Sequence, residues 1–189
     1  GEYVGWPSVF MRLSMCNLTC QGFASEDSPH GCDSFISWSV KNKMTFAELT
    51  TYLEDGGYRK ALENGAIWKI TGGEPLVQQP KLLKFLEHIQ VEWGNVPRID
   101  FETNATIMPD KEWVRVGATF TTSPKLSNNG DPEERRYKPE VLKWHVTNNS
   151  GFKFVISKEE DLQEVLTKYV HRFDIPNDRV WLMPCAGSR

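Results

Sequence analysis

The chain has 189 residues, a net charge of −3 and an ordinary mix of apolar and charged residues. That is enough for one domain with a real core, and the weak negative charge argues against a general nucleic-acid binder. No apolar run is long enough to cross a bilayer and no signal-peptide pattern stands out, so an intracellular, cytoplasmic protein without membrane contact is expected.

The chain opens on "GEYVGWP" and closes on "MPCAGSR", and both termini are expected to be incomplete. "SVFMRL" (8–13) predicts a strand. Cys16, Cys20 and Cys32 follow it, three of the four cysteines in the chain. Such clustering speaks for a metal site in a reducing compartment rather than a disulfide scaffold. Cys185 stands apart and is expected to be a bystander. "TFAELTTYLEDGGYRKALENG" predicts helix, with a capping box from Thr45 and Glu48 and a break at Gly56-Gly57. A short buried strand, "AIWKI" (66–70), runs into "TGGEP". Residues 79–90 predict a helix with Leu82, Leu83, Leu86 and Ile89 on one face.

Strand "RIDFET" (98–103) comes next, then a short helix opened by Pro109 and strand "ATFTTS" (118–123). "DPEERRYKPE" predicts a surface loop, with "EERR" (133–136) solvated. "FKFVI" (152–156) predicts a strand leading to a helix whose capping box is Ser157 and Glu160. "RVWLM" (179–183) is the last strand. Strands and helices alternate, which implies an α/β fold with a parallel sheet, open or curled into a partial barrel. In such folds chemistry gathers at the carboxyl ends of the strands. Cys16, Cys20 and Cys32, then Thr71 to Glu74, Glu102 to Asn104, Ser123 to Lys125, and Met183 with Pro184 all fall there.

Three thiolates admit two metals. Zinc closes a structural site with four protein ligands, and His30 could complete a Cys3His set in a non-catalytic module. A 4Fe–4S cubane held by three cysteines leaves one iron open for a substrate or cofactor. "TGGEP" lacks the pattern of a phosphate loop; its paired glycines suit close approach of a ligand to the backbone. Trp68, Trp113, Trp144 and Trp181 are expected in the core. His88, His145 and His171 have no ligand partner at useful spacing.

A three-cysteine loop after the first strand, followed by Gly-Gly-Glu-Pro after the second, resembles the radical S-adenosylmethionine superfamily. The usual spacing there is Cys-x3-Cys-x2-Cys. Here Cys16-x3-Cys20 is kept, and eleven residues, 21–31, separate Cys20 from Cys32 as an insertion. The insertion puts Gly31 where an aromatic residue commonly precedes the third cysteine. "GEYVGWPSVFMRLSMCNLTC", "CDS" (32–34), "TGGEP", "ETNAT" (102–106) and "SPK" (123–125) together resemble the 7-carboxy-7-deazaguanine synthase family. Tyr3 replaces the last glycine of that family's Gly-Glu-Gly opening. Some members also carry enlarged cysteine loops.

The resemblance implies a single modified (β/α)6 TIM-like barrel domain over 1–189. It implies a 4Fe–4S cluster on Cys16, Cys20 and Cys32, and S-adenosylmethionine against Gly72, Gly73, Ser123, Pro124, Lys125, Met183 and Pro184, with the contact reaching as far as Ala186. It implies Mg2+ on the Ser34 hydroxyl, with Asp33 beside it. The implied substrate is 6-carboxy-5,6,7,8-tetrahydropterin, with Arg12 on its carboxylate, Glu2 on its amino edge and Thr71 as a further contact. The product is 7-carboxy-7-deazaguanine, formed with loss of ammonia on the way to queuosine-type 7-deazapurines. An electron donor such as flavodoxin and a homodimer are implied as well. The alternative within the superfamily is an enzyme that installs a glycyl radical on a partner protein.

Overall fold

A computed structural model describes residues 2–26 and 29–185. Ala186 and two residues of the insertion, 27 and 28, lie outside it. Six strands form one parallel sheet in sequence order: β1 (Ser8–Leu13), β2 (Ile67–Gly72), β3 (Ile99–Thr103), β4 (Thr119–Thr122), β5 (Gly151–Ile156) and β6 (Val180–Pro184). Strands in that order need a crossover at every step. The helices that supply the crossovers explain where the core lies.

Between β1 and β2 come α1 (Phe35–Ser39), α2 (Phe46–Asp55) and α3 (Tyr58–Glu63). Thr45 caps α2 by accepting from the Glu48 N–H, while the Glu48 carboxylate accepts from the Thr45 N–H. The predicted break falls at Gly57, which takes a left-handed φ of +71° that suits glycine. α4 (Gln79–Trp93) lays Leu82, Phe85, Leu86, Ile89 and Trp93 onto the sheet. α5 (Lys111–Arg115) is capped by Asp110 rather than opened by Pro109. The stretch 133–136 departs from the expected solvated loop. It forms α6 (Glu133–Arg136), and Arg136 is buried against Glu164 at 2.9 Å. α7 (Pro139–Thr147) follows directly, which the polar pattern also concealed.

α8 (Glu159–Glu164) runs through a π-wound segment, Val165–Val170, into α9 (His171–Phe173). Its N-terminus is closed by Asp161, whose carboxylate accepts from the Ser157 and Lys158 N–H groups. Glu160, the expected partner, points its charge towards Lys158 on the surface instead. The likeliest-looking sequence pair loses because Asp161 is the buried one of the two and has the unpaired amides within reach.

Successive strand residues face opposite sides of the sheet. Val9, Met11, Trp68, Ile70, Phe101, Phe120, Phe152 and Phe154 bury one face under the helices, as two apolar clusters. Their neighbours make the other face polar. Lys69, Asp100 and Thr119 align in one row, and Glu102, Thr121 and Gly151 in the next. Lys69 and Asp100 form a buried ion pair at 2.6 Å, with both Thr119 and Thr121 hydroxyls donating to Asp100. Tyr3 covers the pair, its hydroxyl on Thr119 and its ring 4.1 Å from the Lys69 ammonium. Trp68 and Trp113 are core residues as expected, with Trp144 packed against the same cluster.

His145 is fully buried against Phe120 and Trp144, with Nδ1 at 2.9 Å from the Ser150 hydroxyl. Burial pulls its pKa down from 6.5 to about 3. The unfolded chain therefore takes up a proton near pH 6.5 that the folded chain refuses until about pH 3. Stability is held above pH 6.5 and lost as the pH falls from there towards 3. Urea unfolding at pH 7 and pH 5 should show that loss, with a slope of up to about 1.4 kcal/mol per pH unit. His145→Gln, which keeps a polar group for Ser150 but cannot titrate, should flatten it.

Candidate active site at the carboxyl ends of the strands

A cavity of about 550 Å3 opens at the carboxyl ends of the strands, a size suited to a small organic ligand. Its walls bring together Cys16, Cys20, Cys32 and Ser34 from the first loop, and Arg12, Thr71, Gly72 and Gly73 from β1 and β2. Ser123, Lys125, Met183 and Pro184 close the far side. Pro124 is buried behind this wall and does not line it.

The junction after β2 explains the paired glycines. A Cβ on Gly72 would lie 2.2 Å from the Leu13 carbonyl oxygen, and one on Gly73 would lie 2.2 Å from that of Met15 and 2.6 Å from the Cys16 Cβ. The two loops touch through backbone, and the Gly73 and Glu74 N–H groups donate to Leu13 and Met15. Glu74, fully buried, accepts from the Leu76 and Asn104 N–H groups and the Thr103 hydroxyl. Burial pushes its pKa up, against the pull of those three donors.

The second half of the cysteine loop is held by the loop after β4. Asp131 is buried and accepts from the Thr19 and Cys20 N–H groups and the Thr19 hydroxyl. Burial of this carboxylate would raise its pKa, but these donors and Arg135 outweigh it and the pKa is lowered. The turn at 21–23 rests on the turn at 127–129, where a Cβ on Gly22 would lie 2.1 Å from the Asn128 carbonyl oxygen. The insertion thus enters the cavity wall itself, through Phe23, Ser25 and Gly31.

The three sulfurs share one electrostatic environment. Burial pushes the Cys16 thiol up to about 11, against a hydrogen bond from the Leu18 N–H and with Glu74, Cys20 and Cys32 adding to the rise. Burial also raises Cys20, opposed by the Lys125 charge and the Asn129 amide. Binding metal here would displace protons. Among the described residues no three His, Cys, Asp or Glu side chains stand close enough for one ion. The ring of His30 stacks on Phe35 at 4.1 Å, and His30 is not part of the cavity wall. The donor set fits a cubane better than a single zinc ion. Each thiolate of a cubane reaches a different iron, whereas zinc draws all its ligands around one centre.

On the cavity floor Thr71 donates to Glu102 at 3.2 Å and Lys153 lies 3.8 Å from the same carboxylate. Arg12 is exposed into the cavity, and its side chain makes no hydrogen bond or ion pair among the described residues. Asp33 and Ser34 line the rim, the hydroxyl donating to the carboxylate at 3.0 Å. Glu2 is not in the wall; its carboxylate would lie 3.5 Å from a Cβ on Gly151, which sits in the same sheet row as the cavity residues Glu102 and Thr121. Cys185, expected as a bystander, does line the cavity. Lys153 and Trp38 were missed. Their signals were strand parity for Lys153 and closeness to Cys32 for Trp38.

The glycine contacts give a direct expectation. Gly73→Ala should cost about 1–3 kcal/mol in urea unfolding, as over-packing against backbone does. It should also speed the reaction of Cys16 with thiol reagents, because the loop carrying Cys16 must give way. Gly73 has no left-handed φ, so the cost is that of the steric contacts alone.

No family model matches the chain. Relatives named 7-carboxy-7-deazaguanine synthase do match it over its whole length. The protein from Pyrobaculum aerophilum is 32% identical, with 75% of its own length covered. Those from Hyperthermus butylicus and Aquifex aeolicus are each 30% identical, with 73% and 74% covered. Identity at this level over the whole chain means that the chain belongs to the 7-carboxy-7-deazaguanine synthase family.

Proposed function

We propose that the chain is a radical S-adenosylmethionine enzyme that converts 6-carboxy-5,6,7,8-tetrahydropterin to 7-carboxy-7-deazaguanine with loss of ammonia, in queuosine-type 7-deazapurine synthesis. The observation that carries this reading is the convergence on one cavity of three thiols and a guanidinium that has no partner among the described residues. The parallel sheet supports a single domain of the partial (β/α)6 barrel type, with 21–31 as an insertion in the cluster loop.

In this reading Cys16, Cys20 and Cys32 hold a 4Fe–4S cluster. Together with S-adenosylmethionine, that cluster supplies a 5′-deoxyadenosyl radical able to take a hydrogen from C6 of the pterin. The rest is the work of the chain. Gly72 and Gly73 present bare backbone to the cofactor. Ser123 and Lys125, joined at 2.9 Å, offer it a hydroxyl and a positive charge. Pro124 restricts the backbone between them, and Met183 and Pro184 give an apolar wall.

Arg12 orients the substrate through a fork-to-carboxylate pair, which fixes direction as well as position. The Thr71 hydroxyl, already tied to Glu102, makes a second contact. Glu2 remains the proposed contact to the amino edge of the pterin; it lies against Gly151, level with Glu102 and Thr121 on the cavity floor. The Ser34 hydroxyl, oriented by Asp33, is the proposed protein ligand to Mg2+ beside the substrate carboxylate. A homodimer, a cytoplasmic location and an electron donor such as flavodoxin complete the reading. Among the described residues no helix is long and apolar enough to cross a membrane.

Anaerobic reconstitution tests the proposal. About four irons per chain are expected, with a paramagnetic resonance spectrum that changes when S-adenosylmethionine is added and turnover of the carboxylated pterin. Stoichiometric zinc without iron, or a spectrum blind to the cofactor, would sink it. Arg12→Ala should raise KM for the pterin by about 10–100-fold, the loss expected for a charged hydrogen-bonded pair, while leaving iron content unchanged.

A further inference from the structure

Every sulfur of the cysteine trio receives an N–H, each from a different kind of donor. The Leu18 backbone donates to Cys16 at 3.5 Å. The Asn129 side chain donates to Cys20 at 3.7 Å, and the Trp38 indole donates to Cys32 at 3.4 Å. A neutral thiol is a weak acceptor, so three donors aimed at three thiols make poor use of polar groups. The arrangement becomes favourable once the sulfurs carry negative charge.

Neither side chain is there by chance of rotamer. Asn129 is fully buried, and its carbonyl oxygen accepts the Asp131 N–H at 3.0 Å. That fixes the amide with its NH2 towards Cys20 and the Asp131 carboxylate. Trp38 is anchored at its backbone, where its carbonyl accepts the Met15 N–H. Its ring meets the edge of Phe35, which in turn stacks on His30. The indole N–H has the Cys32 sulfur as its partner.

We propose that Asn129 and Trp38 are positioning residues whose N–H groups, donated to Cys20 and Cys32, raise the reduction potential of the cluster this trio binds. The proposal rests on the iron–sulfur reading above. One electron added from a low-potential one-electron carrier increases the negative charge on the cluster and its thiolates. Donors to those sulfurs stabilise the reduced form more than the oxidised form, which moves the potential upward. Asn129 is contributed by the loop after β4 and Trp38 by α1, so both loops that flank the cavity set the ease of reduction.

The test is a redox titration of reconstituted protein, followed by paramagnetic resonance, with iron measured on every sample. Trp38→Phe keeps the aromatic packing and removes the donor; Asn129→Ala removes the other. At the poise where the parent is half reduced, each variant should hold about four irons and a reduced-to-oxidised ratio about tenfold lower, equivalent to about 59 mV for one electron. Ratios within twofold of the parent, at full iron content, would overturn the proposal. Loss of the cluster from both variants would also overturn it, because the donors would then serve assembly and not potential. A parent chain that assembles no four-iron cluster would instead defeat the underlying reading, and the proposal with it.

Discussion

One buried carboxylate organises the candidate site. Glu74 leaves β2 with no exposed surface and accepts three donors from two different loops. Two of those donors, the Thr103 hydroxyl and the Asn104 N–H, come from the end of β3. Its own N–H reaches the Met15 carbonyl, one residue before Cys16. The ends of three strands are therefore fixed to one another through the backbone and side chain of a single residue. Asn104 extends the link, donating to Asn17 within the cysteine loop. A buried carboxylate is costly unless each lone pair is used, and here the donors arrive from the segments that must be aligned. The glycines at 72 and 73 belong to the same constraint, since they let β2 come close enough for Glu74 to reach.

The polar face of the sheet shows how register becomes chemistry. Parallel pairing sets Lys69 beside Asp100, and that pair is neutralised, buried and covered by Tyr3. One row higher, Thr71 meets Glu102, and Lys153 balances the charge from β5, across β4. Arg12, at the same level on β1, is left without a partner of its own among the described residues. The lower row is a closed structural network. The upper row keeps one cation in reserve at the cavity, where a ligand carboxylate can take it. Two rows of the same sheet thus differ in function because one is sealed and the other is open.

Much of this was legible in the sequence, and for definite reasons. The Thr45 and Glu48 box, the break at Gly56-Gly57 and the positions of the strands follow local rules, which act over a few residues. The trio of cysteines and the Gly-Gly-Glu-Pro turn were legible because their spacing is unusual. Asp131 and Asn129 were not, because their partners Thr19 and Cys20 lie more than a hundred positions away. No local pattern marks an aspartate whose acceptors are used by a distant loop. Helix α6 was hidden for a related reason. Its charged "EERR" reads as solvated, yet Arg136 is buried because Glu164 and the Lys125 carbonyl wait for it. The Ser157 and Glu160 pair failed where burial chose Asp161 instead.

The long spacing between Cys20 and Cys32 can be understood in the same terms. Lengthening a loop costs little chain entropy once its ends are fixed, because closure depends only weakly on length. Here the ends are fixed hard. Asp131 holds the backbone at Thr19 and Cys20, and Gly22 packs onto the turn at 127–129 with no room for a side chain. At the far end, the Phe35 N–H donates to the Cys32 carbonyl, and Trp38 ties α1 back to Met15 and to the Cys32 sulfur. The inserted residues span two anchored points, and some of them, Phe23 and Ser25, become wall. What a short cysteine motif would achieve by spacing alone, this chain achieves by clamping each cysteine from a separate element. The same clamps deliver the N–H groups to the sulfurs, so the devices that tolerate the insertion are also those that set the environment of the three thiols.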